Sequence, residues 1–531
     1  MSAEVEAYID SLTTSETIKA LFRQYGLGYA WIAMAVITLA MLATLLSTTI
    51  VNVAIPPIMG AYGIGQDQAQ WLSTANLASS TVAMLLTSWL VQMWGIRLVV
   101  FWSMLLFLLG TVIGGTSPNV ELMIFARVLQ GIAAGIITPL SMFVVFLLFP
   151  FNRQGMVMGV SSIGVMLAPA LGPTLGGVLT DTFNWRYVYY VCLVAPLLCI
   201  PLALIYLPDR DGEKPAIPFD WWGLILLSLG ISLLFIGLSS GRREGWDSAW
   251  VLSNLGGGIG SSLGFIYWQL RNPTPLLNLA IFRHYRFAMY SIIGFVFSAG
   301  LYGSTYLIPL FLQLVQGMTP TDSGLLTMPA GLLMAVVAPF CGRLVDRYDP
   351  SLLIAWGSLL FSGSFILMVG ADANTSFFTF AWWMAVGRIG IGFAFPSMSM
   401  GTVRSVPAEL VGEASGVLNF MRQLGGAFGV NLCSLILAHR TEFHADAVLS
   451  TQRSDNAETL QSIFILEQQL SATGMPAIEK KLAAMQYLAD SLHIQAMVSA
   501  FKDSFLVSAL VFLAVLVPVW LIWRSKLTDA K

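Results

Sequence analysis

What most constrains this chain is a succession of apolar runs parted by short loops rich in charge, Gly or Pro. A helix needs about 20 apolar residues to cross the hydrocarbon of a bilayer. Cutting at the loops predicts fourteen such helices, over 31–54, 70–93, 97–117, 121–148, 156–179, 187–207, 219–240, 249–269, 287–314, 323–345, 351–370, 377–402, 411–438 and 503–524. Backbone polar groups in lipid must be satisfied internally, so runs of this length predict an all-α membrane protein. Charged residues make up only 10% of the chain, against roughly a quarter in soluble domains, so its surface is not built for water.

Charge and cysteine content exclude several classes. A net charge of −2 leaves no basic face for nucleic acid. Cys192, Cys199, Cys341 and Cys433 all lie in apolar runs without CxxC spacing, so they read as small hydrophobes. No disulfide, metal or cofactor is expected. His284, His439, His444 and His493 fall in predicted loops, and no nucleophile, base and orienting group can be placed together, so enzymatic chemistry is not expected.

Orientation follows from the loops. Arg97, Arg153, Arg210, Lys214, Arg271, Arg283, Arg286, Arg347 and Arg404 fall on one side, whereas the short connections on the other hold little beyond Arg186, Arg242 and Arg243. An excess of Lys and Arg marks the cytoplasmic side, which places both termini inside. Residues 1–30 carry Glu4, Glu6, Asp10 and Glu16, the wrong pattern for a signal peptide, and are expected to form a cytoplasmic segment.

The chain repeats itself. "SWLVQMWGIR" (Ser88 to Arg97) sits like "CGRLVDRYDP" (Cys341 to Pro350), and "RVLQGIAAG" (Arg127 to Gly135) like "RIGIGFAF" (Arg388 to Phe395), each with an Arg and a Gly four residues on. Gly159 and Gly172 are spaced like Gly416 and Gly429. Two parallel halves put a solute path at their interface, opened to each side in turn as the halves rock. The expected division is a six-helix bundle over 31–207, two inserted helices over 208–270, five helices of a second bundle over 271–438, an external loop over 439–502, and a last helix with its tail over 503–531.

These motifs resemble the major facilitator superfamily, and within it the fourteen-helix drug:proton antiporters of the EmrB/QacA type. "TTIVNVAIP" (Thr48 to Pro56) resembles the first-helix signature, "RVLQGIAAG" the fourth-helix one, and "LGPTLGGVLTDTFNWRYVYYV" (Leu171 to Val191) the fifth-helix antiporter signature. "PLLNLAIFRHYRF" (Pro275 to Phe287), "SGVLNFMRQLGGAFGV" (Ser415 to Val430) and "FKDSF" (Phe501 to Phe505) are similar to the same family. The resemblance implies the two-bundle fold with two additional helices, and proton-coupled export of hydrophobic or amphiphilic compounds. It further implies that Pro169, Gly172, Pro173, Gly176 and Gly177 pack the fifth helix against the opposite half and close one end of the path. Gly95, Arg97, Gly342, Asp346 and Arg347 match the loop signatures. Two positions depart from the pattern: Ser47 and Gln92 stand where the family usually carries Asp.

No Asp or Glu lies near the middle of any predicted span; Glu121, Asp220, Asp346, Glu413 and Asp503 all sit at span ends. Cations do lie at depth. Arg388 and Arg422 each fall eleven residues into their spans, about 16 Å from the edge, with Arg127 shallower. A buried guanidinium needs carbonyls, water or an anion beside it. Two readings stay open. In one, these arginines bond to carbonyls and polar side chains, with Gln130, Asn419 and Gln423 as partners. In the other, they balance an anionic amphiphile. Ser47, Asn52, Gln130, Asn419 and Gln423 are the candidate cavity residues, and the resemblance gives Arg127 a place in a proton relay. The alternative to proton-coupled export is a facilitator or exchanger of an organic anion.

In the loop, "EKKLAAMQYLADSLHIQAMVSAF" (Glu479 to Phe501) spaces Leu482, Met485, Leu488, Leu492 and Phe501 near helical period, predicting an amphipathic helix. The resemblance implies a periplasmic adaptor and an outer-membrane channel as its partners, with the chain as inner-membrane pump. A self-packed hairpin is the other reading. Expected partners are otherwise small molecules, protons and membrane lipid.

Overall fold

A computed structural model describes residues 15–150, 157, 168, 171–210, 218–407, 410–451, 457–469 and 477–529, among which there is no strand. A short amphipathic helix, α1 (Glu16–Tyr25), is capped by Ser15 and turns Ile18, Leu21 and Phe22 inward. The first long helix is α2 (Tyr29–Tyr62). After α3 (Trp71–Met84) the chain enters α4 (Thr87–Thr116), which is interrupted at Gly95 (φ 77°, ψ 166°). Residues before Gly95 therefore complete the second predicted span and those after it form the third. Next come α5 (Val120–Leu148), started by an Asn119 cap on the Leu122 N–H, then α6 (171–182) and α7 (Val194–Tyr206).

A hairpin follows, α8 (Trp221–Glu244) and α9 (Ala249–Arg271). Asp220 ties its open end: one carboxylate oxygen accepts from the Gly223 N–H (2.9 Å) and Trp268 Nε1 (2.7 Å), the other from Gln269 Nε2 (2.7 Å). The hairpin leans on α3, and Phe235 packs edge-on to Phe428 of the second half at 4.9 Å.

That half comprises α10 (Tyr285–Leu314), α11 (Pro320–Arg347), α12 (Pro350–Val369), α13 (Phe377–Val403), α14 (Val411–Thr451), α15 (Ala457–Gln469), α16 (Ala477–Ala514) and α17 (Leu516–Asp529). Pro518 cannot donate to the Ala514 carbonyl, which accounts for the break at Val515 between the last two helices. Two apolar cores result. One runs from Ile18 to Leu207, and the other is drawn chiefly from Phe287 to Ile522, with Phe235 and Phe265 of the hairpin joined to it.

Eleven of the described helical segments are long and apolar enough to cross a membrane. The other three predicted spans are the second, divided at Leu85–Leu86, the fifth, described in α6 and at residues 157 and 168, and the eighth, on α9, whose sequence carries five glycines. The helices end on two faces. On the terminal face Tyr25 meets Tyr206, Arg97 meets Asp209 and Asp349 meets Lys526. On the far face Tyr62 donates to the Ser117 carbonyl, which also accepts from Arg186. The 41 residues of α14, about 60 Å as a straight helix, exceed the roughly 30 Å hydrocarbon thickness, so α14 projects beyond the far face together with the start of α16.

Candidate functional site

The polar centre of the first half is built around Arg127, which is fully buried on α5. Its Nε donates to the Leu72 carbonyl (2.7 Å), and its Nη1 donates to the Ser47 carbonyl (3.1 Å), Ser47 Oγ (3.1 Å) and Gln130 Oε1 (2.8 Å). Gln130 Oε1 also accepts from Ser47 Oγ (3.2 Å), while its Nε2 donates to Thr111 Oγ1 (3.0 Å). Asn76 Nδ2 reaches the Arg127 carbonyl (3.3 Å), and Thr48 Oγ1 donates to Asn76 Oδ1 (3.0 Å). One guanidinium thus ties α2 and α3 to α5, and Gln130 extends the network to α4. No carboxylate touches it among the described residues, and its Nη2 is without a partner.

Ser47, Gln130 and Arg127 therefore converge. Asn52 stands apart, accepting from Ser73 Oγ (2.6 Å). All four of these side chains are buried within the first half. Thr111, Asn76 and Thr48 belong to the same network and were missed from sequence. The available signal was a polar side chain inside an apolar run, which in lipid always requires a partner.

The second half is arranged differently. Arg388 on α13 is 7% exposed, makes no hydrogen bond to a described residue, and leaves Nη1 buried without a partner. Beside it, Ser304, Phe361, Ser364 and Phe365 line a space of about 10 Å³, near what one water requires. Arg422 lies with its guanidinium carbon 3.9 Å over the Phe395 ring. Asn419 and Gln423, four apart on α14, share one helix face and are half-buried. Gln423 Nε2 crosses to Ser80 Oγ of the first half.

At the far face the halves meet closely. A Cβ on Gly177 would strike the Pro320 carbonyl, and one on Gly324 the Pro173 carbonyl. Thr174 Oγ1 donates to the Gly324 carbonyl (3.0 Å), the Thr321 N–H donates to Asp181 Oδ2 (2.7 Å), and Gln313 Nε2 donates to the Val53 carbonyl (2.9 Å). Gly176 lies against Ile50, where a Cβ would come within 2.6 Å of the carbonyl, and Gly172 lies against Thr49. Pro169 is outside the described residues. The small residues of α6 thus let backbone meet backbone across the seam.

The loop motifs tie turns to helix ends. Arg97 Nε donates to the Leu207 carbonyl (2.8 Å) and its Nη1 pairs with Asp209 (3.1 Å). Gly95 admits Arg210, whose Cβ would lie 2.9 Å from any Cβ there. Gly342 has open space around it, Arg347 is exposed, and the Asp346 side chain is outside the described set. Between α14 and α16, Asp503 Oδ2 accepts from Arg440 Nε and pairs with His444 Nε2, each at 2.6 Å.

Repeated helical halves with polar interiors, joined across one end by small residues, define the architecture of a membrane transporter. The chain belongs to the Major Facilitator Superfamily, whose model matches residues 37–430. It is 27% identical to the multidrug export protein EmrB of Haemophilus influenzae over 92% of this chain and 95% of that one. It is 29% identical to the multidrug transporter protein MdtP of Bacillus subtilis over 76% and 74%. Among solved structures it is similar to an inward-facing bacterial homologue of the human lysosomal transporter Spinster, with a TM-score of 0.62 and 14% identity over 94% of this chain and 98% of that one.

Proposed function

We propose that this chain is a secondary active exporter of hydrophobic or amphiphilic compounds. It would sit in a bacterial cytoplasmic membrane with both termini inside and work by alternating access coupled to protons. The observation that carries the reading is the match, over nearly the whole chain, to a protein named for multidrug export. The close seam at the far face supports it, because a carrier must seal one end of its path while the other opens. Export driven by protons predicts that cationic dyes accumulate in proteoliposomes only under an imposed pH gradient. Concentrative transport without any gradient would sink the coupling and leave the fold untouched.

A second reading, exchange of an organic anion without protons, is favoured by one observation: Arg127 bonds to neutral groups alone among the described residues, with Ser47 where the family usually carries an acid. The same proteoliposomes loaded with an anionic amphiphile distinguish the two, since exchange predicts counterflow insensitive to pH.

The inner-membrane pump of a tripartite assembly is the wider setting we propose. In support, the projecting ends of α14 and α16, with α15 packed on α16, leave Leu460, Phe464, Leu482 and Tyr487 exposed. An adaptor would cover such a surface. Removing residues 457–476 is then expected to abolish drug resistance in cells while proteoliposome transport persists.

A further inference from the structure

Arg388 carries a charge into the interior of the second half, and no described group answers it. The side chain is 7% exposed, and its Nη1 is buried without a hydrogen-bond partner. A guanidinium in a protein keeps its proton, so the charge cannot be shed by titration. An unpaired buried charge is among the costliest features a fold can hold.

Three helices wall the space beside it. Ser304 comes from α10, Phe361, Ser364 and Phe365 from α12, and Met384 with Arg388 itself from α13. The space is about 10 Å³, near what one water requires. Residues 285–314, 350–369 and 377–403, which form these helices, contain no Asp or Glu at all. No change of rotamer within the walls can therefore bring a counter-charge to Arg388. Ser304 Oγ donates to the Leu301 carbonyl and Ser364 Oγ to the Trp383 carbonyl, each at 2.7 Å, and either hydroxyl can rotate to serve a ligand instead.

The matching station of the first half shows what is missing. Gln130, three residues after Arg127, accepts from its Nη1 at 2.8 Å. Three residues after Arg388 stands Ile391, buried and apolar. The second copy has kept the cation, replaced the acceptor by a hydrocarbon and left a space.

We infer that this space binds one monatomic anion of the class of chloride, held by Arg388. A water could accept from Nη1, but it would leave the charge itself unbalanced in surroundings where charge–charge attraction is strong. An anion supplies both the acceptor and the balance. Size sets the class, because a carboxylate or phosphate has three or more heavy atoms and a space near that of one water does not hold them. The site is thus distinct from any path for an organic anion, and the inference is independent of what the protein transports.

The test uses the full-length protein in detergent, unfolded by heat in the sodium salts of chloride, bromide, acetate or gluconate at equal ionic strength. Chloride and bromide are expected to raise the unfolding temperature above that in gluconate by about 2 °C or more, and acetate is not. Arg388→Met should lose the difference between chloride and gluconate, and in gluconate it should unfold no lower than the unaltered protein. Ser304→Val keeps the charge but fills the space, so it should lose the same difference and carries the test should Arg388→Met fail to fold. An unaltered protein indifferent to the exchange of gluconate for chloride overturns the proposal and leaves the space to water. A chloride response that survives undiminished in either folded variant overturns it too, because a general effect of salt then accounts for the shift. Stabilisation by acetate equal to that by chloride overturns the monatomic class.

Discussion

Arg127 and Arg388 occupy matching stations, each in the fourth helix of its half and each with a glycine four residues on, yet their surroundings differ. Arg127 is bonded by its Nε and Nη1 to Leu72, Ser47 and Gln130, whereas Arg388 has no hydrogen-bond partner among the described residues. Taking a guanidinium out of water costs several kcal/mol, and each hydrogen bond from a charged donor returns about 1.5–3 kcal/mol. The described residues of the first half offset that cost and those of the second do not. A repeat can thus preserve a charge without preserving what satisfies it.

The largest predicted effect exploits this difference. Arg127→Met leaves the Leu72 carbonyl, Ser47 and Gln130 short of a donor in a closed interior. It should destabilise the protein by about 3 kcal/mol and abolish transport. Arg388→Met removes a buried charge and breaks no hydrogen bond to a described residue, so its unfolding temperature should hold or rise. Parallel thermal unfolding of the two variants is the measurement, and an equal fall in both would erase the contrast.

The seam asks the halves to behave alike. Gly177 faces the backbone of the second half at Pro320, and Gly324 faces that of the first at Pro173. A leucine at either position over-packs the contact by about 1–3 kcal/mol, shifting the equilibrium away from the far-closed state by roughly 5- to 150-fold. Transport should fall comparably in Gly177→Leu and Gly324→Leu, and cysteines placed at far-face positions should become more reactive to a membrane-impermeant thiol reagent. A loss in one variant alone would make the seam one-sided.

Much of this was legible before any coordinates. Long apolar runs report helices reliably because lipid leaves a backbone few alternatives, and the superfamily followed from motifs in order along the chain. The depth of the arginines was also readable, because rise per residue is fixed. Their partners were not, since a hydrogen bond between Arg127 and the Leu72 carbonyl depends on how α5 packs on α3, which neither segment encodes alone. The same holds for Asp209, which pairs with Arg97 across 112 positions of sequence, and for Ser80, which meets Gln423 only because the halves are in contact. The break at Gly95 had a local signal, a glycine in a loop motif, and there the sequence motif and the observed geometry coincide.

A smaller effect tests the first half's neutral network. Ser47→Asp would set a carboxylate against Arg127 Nη1, restoring the acid that the family usually carries there. Discrimination between cationic and anionic substrates should then move toward the cation by about fivefold, roughly 1 kcal/mol. Transport ratios of a cationic dye to an anionic amphiphile measure it, and an unchanged ratio would return Ser47 and Arg127 to a purely structural role.

The smallest effects belong to the terminal-face ties, where both halves fasten a turn to the end of their last helix with the charges reversed: Arg97 to Asp209, and Asp349 to Lys526. Both pairs are partly exposed, so Asp209→Asn or Lys526→Gln should each cost only about 0.5 kcal/mol, less at high salt. Partial burial works to raise the Asp349 pKa, but the hydrogen bonds from Lys526 and the Ser351 N–H outweigh it and hold the carboxyl below the ordinary carboxylate range. A carboxylate depressed in the folded state stabilises above its unfolded pKa of about 3.9, and that contribution is lost as pH falls through the folded value. The difference between the unaltered protein and Lys526→Gln should accordingly be full at neutral pH and shrink below about pH 4. A gap that persists unchanged into acid would mean that Lys526 stabilises the turn by packing its methylene stem, without help from the charge on Asp349.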